Sequence, residues 1–464
     1  MAKTQIGPFS ACLCNAAQGT TIVRVNLNNR LFYFMKSSVL IFIIMCAALA
    51  MSQFMRAALS VVAPDIMADT GLALDQYGTL AGAFFFGIAA AQIPTGILLD
   101  RFGARVTVAL MQLLAAAGTI AFVLFDGFWA MFAARFITGM GFASALMGGL
   151  VLAARWVPKD RFAQVAGTLI AASQAIGLLL AATPMAALSA VEGWRAAFLL
   201  AALVTVLTSM AVWSMVRDAP PDHPWHQRKP DSARDIFQGF LQVLGIKGMG
   251  YVMLMAMSGY PIMITLVGVW GGPYLHDVHG LDGLARGNVL SLLVIGGVVG
   301  LLAYGPLDRL LDTRKYVVIG GGLLSSGILA ILALLEQPPL MVVMGLFALY
   351  GLSGAYYITN IALGRALYPE HLIGRGVTTV NLGTFTGVAV VQLITGALMG
   401  FFGSDAEVGA GIGSGAGSAP EIAYRCLFGF LSAYSFTIVM VYTRMVDVKP
   451  SGERGPQPAP PEKP

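Results

Sequence analysis

The sequence predicts an all-α membrane protein: twelve transmembrane helices arranged as two pseudo-symmetric six-helix bundles. Three observations carry this reading. The first is composition, because 57% of the 464 residues are hydrophobic and only 11% charged, with mean hydropathy +0.77. Soluble domains run near about 45–50% apolar and about 25% charged, and a soluble fold of this size could not hide so much apolar surface. A cytosolic enzyme, a disordered chain and a nucleic-acid-binding protein are thereby excluded. The second is a series of twelve apolar stretches, each near the ~20 residues that cross ~30 Å of hydrocarbon. The third is charge placement. With both termini inside, 23 of the 28 lysines and arginines fall in inner segments. Only Arg195, Arg286 and Arg425 lie on the outer side, and Arg56 and Arg135 fall within spans. Cationic loops resist translocation, so the net charge of +5 reads as a basic cytoplasmic face and not as a sign of an acidic partner.

In chain order, residues 1–37 read as a cytoplasmic N-terminal tail. Nothing in 1–34 resembles a cleavable signal peptide, so either Met35 is the natural start or these residues form a flexible tail. Cys12, Cys14, Cys46 and Cys426 make no disulfide framework, and Cys12-x-Cys14 lacks companion ligands. The first bundle, 38–217, holds spans 1 to 6 at 38–62, 77–99, 106–125, 128–153, 163–188 and 195–216. A polar cytoplasmic linker, 218–247, contains Pro220-Pro221 and Arg228-Lys229. The second bundle, 248–445, holds spans 7 to 12 at 248–274, 287–307, 316–335, 340–364, 376–401 and 423–445, before a tail at 446–464. The Gly- and Ser-rich stretch 403–418 reads as a flexible outer tether. The 55 glycines suit membrane helices that pack closely without a hydrophobic force between them. The halves also repeat. Gly96-Ile97-Leu98-Leu99-Asp100-Arg101-Phe102-Gly103-Ala104-Arg105 follows span 2, and Gly305-Pro306-Leu307-Asp308-Arg309, then Asp312-Thr313-Arg314-Lys315, follows span 8. Secondary transporters use such duplication to rock two bundles around a midplane site.

These residues carry a family resemblance. The G-x-L-x-D-R-x-G-x-R loop from Gly96 to Arg105, Arg135-x-x-x-Gly139-x-Gly141 in span 4 and Gly193-Trp194-Arg195 before span 6 resemble signatures of the major facilitator superfamily, over residues 36–446. The resemblance implies a solute transporter working by alternating access. It also implies a cytoplasmic gate, in which Asp100 meets the N-terminus of span 11 and Arg101 and Arg105 pair with nearby acids. Gly96 and Gly103 belong to that gating motif, with Asp308 and Arg309 as its counterpart in the second half; a solvated loop that sets topology is the other reading. Arg56, eight residues before Pro64, and Trp270-Gly271-Gly272-Pro273-Tyr274-Leu275 are similar to the organophosphate and organic-anion branches, whose span 1 arginine binds the substrate's anionic group. The second arginine of the phosphate-ester antiporters is missing, since span 7 reads Ile262-Met263-Ile264-Thr265. That departure favours a singly charged anion such as a carboxylate. Gly177 followed by Ala181-Ala182-Thr183-Pro184 departs from the antiporter signature of span 5.

Arg56 is the most informative residue by its chemistry. An arginine in mid-span costs about 2.5–3.5 kcal/mol on insertion scales. It either snorkels to outer headgroups or lines a water-filled cavity. Ser52, Gln53, Arg56 and Ser60 form one polar stripe at helical spacing, which favours the cavity, and the guanidinium fork suits a carboxylate. Arg135, with Thr138, Gly139 and Phe142 on its face, either ties span 4 to a neighbour's carbonyls or influences coupling and substrate charge. The substrate-binding candidates are Arg56, Gln53, Arg135, Gln174, Tyr260, Trp270, Tyr357, Asn360, Asn381 and Gln392; Gln92, Ser173, Ser258 and Tyr356 are further cavity candidates. Isolated amides and tyrosines of this kind also serve to bond neighbouring helices. Phe84-Phe85-Phe86 reads as packing or lipid contact. All 23 Asp and Glu, with His223, His226, His276, His279 and His371, fall in loops, tails or span ends, so a carboxylate relay in mid-membrane is not expected. A protonatable substrate, anion exchange or facilitation remain.

The sequence therefore points to a non-enzymatic carrier of a small anionic solute, in a bacterial inner membrane, with both termini cytoplasmic. It is expected to act as a monomer, in contact with lipid and without cofactor, metal or nucleic acid. A proton-coupled exporter of drug-like or lipophilic compounds and a non-transporting sensor of the same fold are the alternatives. The topology is testable. Alkaline phosphatase fused after residue 127 is expected to be active in bacteria and inactive after residue 220; the opposite pattern rejects the orientation.

Overall fold

The computed structural model describes residues 39–157, 159–220, 233–368, 372–409 and 419–450, and no strand occurs among them. Residues 1–38, the 221–232 part of the linker, 410–418 of the outer tether and 451–464 lie outside the described residues, as do His223, His226 and His371.

Ten helices are long and apolar enough to cross a membrane among the described residues, and two of them are far too long to cross once. Leu74–Leu124 runs 51 residues, about 76 Å at ~1.5 Å per residue, against ~30 Å of hydrocarbon. Gly103 resolves this: with φ 84° and ψ 171° it breaks the helix and reverses the chain. The reversal is visible in packing. Gly87 abuts the backbone of Phe136, and 31 residues later Gly118 abuts Thr138 and Ala134 of the same Phe128–Phe142 helix. Residues 164–215 repeat the arrangement. The helix is interrupted at Ala181-Ala182 and turned at Gly193 (φ 80°), so that Leu169 and Val212 share one buried cluster. Two glycine corners thus convert ten helices into twelve crossings, and the protein is an all-α bundle of the predicted class.

The remaining crossings are Val39–Val61, Phe128–Trp156, Met249–Asp277, Gly283–Leu310, Lys315–Leu334, Leu340–Leu367, Arg375–Phe402 and Glu421–Tyr442. Span 1 breaks at Val62, where Pro64 in the first turn of Ala63–Thr70 cannot supply the N–H that a continuous helix needs. Within the expected linker, Ala233–Leu244 forms a further helix, and its Gly239 lies against Arg375 of span 11.

Glycines set how the halves meet. Among the described residues, Gly78 of span 2 faces Gly396 of span 11, Gly268 faces the Arg56 carbonyl, Gly272 faces Ser60, Gly287 faces Thr183 and Gly400 faces Asp75. All these approaches lie between mid-span and the side of the molecule bearing Gly193. The halves are therefore packed backbone to backbone on that side. Inside the first half, Gly139 of the span 4 motif presses on the Phe84 carbonyl, leaving no room for a methyl group. Gly139→Ala is expected to lower the unfolding temperature of the solubilised protein, with a destabilisation of about 1–3 kcal/mol from overpacking. Gly167→Ala, which meets nothing within 4 Å, is the control and is expected to leave it unchanged.

Candidate functional site

Span 7 is irregular on both sides of Tyr260. A turn at Met257-Ser258 ends Met249–Ala256, Tyr260 sits on the short helix Gly259–Thr265, and Leu266–Trp270 winds as a π turn. Such turns interrupt the regular ladder and recur at functional sites. Here the π turn carries Gly268, and a Cβ at that position would lie 2.7 Å from the carbonyl oxygen of Arg56. One turn on, Gly272 N–H donates to Ser60 Oγ at 2.9 Å. Spans 1 and 7, from opposite halves, are thus locked at the level of Arg56.

Arg56 is 6% exposed and does not snorkel. Its Nη1 donates to the Tyr260 hydroxyl at 3.0 Å and its Nη2 to Ser52 Oγ at 3.2 Å. The Tyr260 hydroxyl donates in turn to Gln53 Oε1 at 3.3 Å. Phe385 of span 11 lies under the cation, 4.9 Å from ring centroid to Cζ. Tyr260 meets Tyr357 edge-on at 5.6 Å, and the Tyr357 hydroxyl donates to Gln174 Oε1 at 3.0 Å. Five predicted candidates, Gln53, Arg56, Gln174, Tyr260 and Tyr357, therefore form one continuous network contributed by both halves. Among the described residues Arg56 has no carboxylate partner, and its Nε has no hydrogen-bond acceptor. A buried cation answered only by neutral groups attracts an anion.

The other candidates lie elsewhere. Arg135, 1% exposed, donates from Nη2 to the Met55 carbonyl at 3.3 Å, with Phe84 and Phe122 rings 4.9 and 5.7 Å from its Cζ. It braces the backbone beside Arg56, so Phe84 is a cation's bedding as well as packing. The Trp270 indole donates to Thr395 Oγ1 at 2.9 Å, and the Asn360 amide to the Val252 carbonyl at 3.0 Å. Gln392 is buried beside Gly82 with both amide atoms unpartnered, and Asn381 is half-buried one helical turn before Phe385. Gln92 is buried with its Oε1 unpartnered, while Ser173 bonds the carbonyls of its own helix. Ser258, Tyr356 and Ser435 make a separate buried cluster in the second half, with contacts of 3.0 and 3.1 Å.

At the Gly103 corner the structure adds a residue that the motif did not indicate. Asp218, just beyond span 6, accepts from the Arg105 N–H at 2.9 Å, and its carboxylate lies 3.8 Å from Arg155. A Cβ at Gly103 would fall 2.6 Å from that carboxylate, so glycine is required there for its φ and for space. Arg105 also donates to the Trp213 carbonyl at 2.6 Å. A Cβ at Gly96 would meet nothing within 4 Å, Arg101 is exposed over Phe102, and Asp100 is half-buried. The start of span 11, where Asp100 was expected to dock, adjoins residues 369–371, which lie outside the described residues. The second half repeats the device. Asp447, beyond span 12, accepts from Thr313 Oγ1, Arg314 N–H and Lys315 N–H at 2.6, 3.3 and 3.1 Å. Asp312 there takes the left-handed corner (φ 47°), Asp308 pairs with Arg314 at 3.3 Å, and Arg309 is exposed. Each half thus sets a carboxylate from the end of its last span on the first amides of its third span, the positive end of a helix.

The comparisons with known proteins fit this geometry. A sequence profile of the Major Facilitator Superfamily matches residues 45–392, and the chain belongs to that superfamily of transporters. Among its relatives, a D-galactonate transporter of Escherichia coli is 24% identical over 83% of this chain and 91% of its own length. A quinolone resistance transporter of Acinetobacter baumannii is 25% identical over 60% of this chain and 71% of its own. A putative tartrate transporter of Agrobacterium vitis is 24% identical over 57% of this chain, which spans 62% of that relative. Among solved structures, a bacterial homolog of the human lysosomal transporter Spinster superposes with TM-score 0.70 at 17% identity, covering 88% of this chain and 96% of that one. The fold is shared.

Asp218→Asn is expected to destabilise the solubilised protein by about 1–2 kcal/mol, since a neutral amide no longer answers the helix end and Arg155. Thermal unfolding followed by size-exclusion chromatography measures this; an unchanged profile would show that the corner does not depend on the charge.

Proposed function

We propose that this protein carries a small organic anion, a carboxylate, across a bacterial inner membrane by exposing the Arg56 site alternately to the two sides. The observation that carries the reading is the Arg56 guanidinium, buried where the halves meet, facing no acid among the described residues and keeping Nε free. A carboxylate is the planar acceptor that a guanidinium fork matches. The hydroxyls of Tyr260 and Tyr357 and the amides of Gln53 and Gln174 then offer polar partners for a hydroxylated acid, and Phe385 covers the cation's face. Relatives whose names give galactonate and tartrate support a hydroxy acid as the solute. Because Tyr260 belongs to one half and Arg56 to the other, an arriving anion engages both bundles at once. With no Asp, Glu or His at mid-span among the described residues, transport rests on the solute's own proton, on exchange or on facilitation. The loop charges support a cytoplasmic position for both termini.

A second reading, export of drug-like compounds, is favoured by the quinolone resistance relative and by the aromatic surround of Tyr260, Tyr357 and Phe385. Reconstituted protein separates the two. Saturable uptake of D-galactonate or tartrate is expected, falling at least about tenfold, or about 1.4 kcal/mol, in Arg56→Gln. Arg56→Lys is expected to retain only part of it, because an ammonium lacks the fork. Transport of either acid unaltered by Arg56→Gln removes the anion reading, and movement of a fluoroquinolone alone favours the second.

A further inference from the structure

Three arginines stand on the Gly193 side, and two are answered conventionally. Arg195 pairs with Asp69 and, at 2.9 Å, with Asp126. Arg425 pairs with Glu336 at 2.8 Å and donates to the Ala333 carbonyl at 3.0 Å. Arg286 differs. It is 4% exposed, yet its Nε and Nη1 have no hydrogen-bond partner, and no ion pair to it occurs among the described residues. It also sits in the first turn of Gly283–Leu310, whose N-terminus Asp282 caps by accepting from Ala285 N–H at 2.8 Å. A cation there opposes the helix dipole. Burial, dipole and unpartnered donors all act against it, so packing stability does not account for its presence.

Its position is at the seam of the two halves. The next residue, Gly287, abuts the Thr183 backbone of span 5, and the following Asn288 accepts from Thr183 Oγ1 at 2.8 Å. The acids within its electrostatic reach are Asp65 of the first half and Asp277 and Asp282 of the second. Asp277 is already engaged by the Tyr424 hydroxyl at 2.6 Å, the Ala419 N–H at 3.0 Å and His276 at 2.8 Å, and Asp282 is the helix cap. Tyr77 of the first half is also within reach, its buried hydroxyl unpartnered.

We infer that Arg286 is a second anion-binding station, covered while the halves meet on the Gly193 side and uncovered when they part, where it takes the carboxylate of the solute on its way to or from Arg56. The inference rests on the Arg56 reading. Parting the halves withdraws Thr183 and Asp65 together, so the arginine loses its cover and one of its compensating charges in the same movement. What is left is a solvated cation with free N–H donors in a concave mouth, which raises the local concentration of anions.

The test is sided binding and transport by the full-length protein in proteoliposomes of sorted orientation, with D-galactonate and tartrate as probes. Arg286→Gln is expected to slow the pre-steady-state binding of either acid presented on the Gly193 side about tenfold, an effect that shrinks as salt rises, and to leave the binding rate from the Gly103 side unchanged. Should that variant fail to insert, Arg286→Lys is measured, with a slowing of about two- to threefold expected on the Gly193 side alone. Binding rates altered equally from both sides, or a change in maximal transport rate only, assigns Arg286 to structure and overturns the station. Unchanged kinetics in Arg286→Gln alongside an inactive Arg56→Gln overturns the station alone. Normal transport in Arg56→Gln, or a wild-type protein that moves neither acid, overturns the central reading and the station with it.

Discussion

A guanidinium does not give up its charge under any condition a membrane offers, so the helices around Arg56 have to be built to accept it. Ser52 and Gln53 come from its own helix, Tyr260 from the facing half and Phe385 from span 11. Arg135 secures the adjoining carbonyl of Met55, so one buried arginine is steadied by another. None of these groups cancels the charge. The Arg56 guanidinium is consequently held by neutral dipoles and an aromatic face, with no carboxylate beside it among the described residues.

Bringing those groups together depends on close backbone approach. Span 7 reaches span 1 through Gly268 and Gly272, four residues apart, the spacing by which membrane helices lose their side-chain standoff. The π turn at Leu266–Trp270 and the break at Met257-Ser258 bracket Tyr260 and set its aim. A regular helix with larger residues at those positions would hold Tyr260 away from Arg56. The contact that joins the halves is thus made by residues without side chains, and the chemistry by the few polar ones beside them.

The class of fold was legible in the sequence because membrane burial writes itself into composition and into the alternation of loop charge. The glycine corners were legible too, as Gly103 and Gly193 both lie in recognisable loop motifs. On span 1, the stripe Ser52, Gln53, Arg56 and Ser60 marked a buried face, the one that meets Tyr260 and Gly272 of span 7, because four polar residues at helical spacing are costly to expose to lipid. Gln174, Tyr260 and Tyr357 joined it, whereas Trp270 and Asn360 serve neighbouring helices. A polar side chain in a span looks alike in either role, and only the tertiary arrangement separates them. Phe385 escaped notice because one phenylalanine among 26 carries no periodic signal. Asp218 and Asp447 escaped for another reason: each lies over a hundred residues from the amides it serves, although an acid shortly after spans 6 and 12 was a signal common to both halves.

The two corners that those acids serve have drifted apart in what they tolerate. At 103 the carboxylate of Asp218 occupies the space a side chain would need, while at 312 a side chain is already present in the left-handed conformation. Glycine could be installed at 312 without obstruction, but the reverse transplant, placing the second half's aspartate at 103, would drive one carboxylate into another. The two corners are therefore not interchangeable: an aspartate at 103 would meet the Asp218 carboxylate, while at 312 the left-handed conformation already carries one.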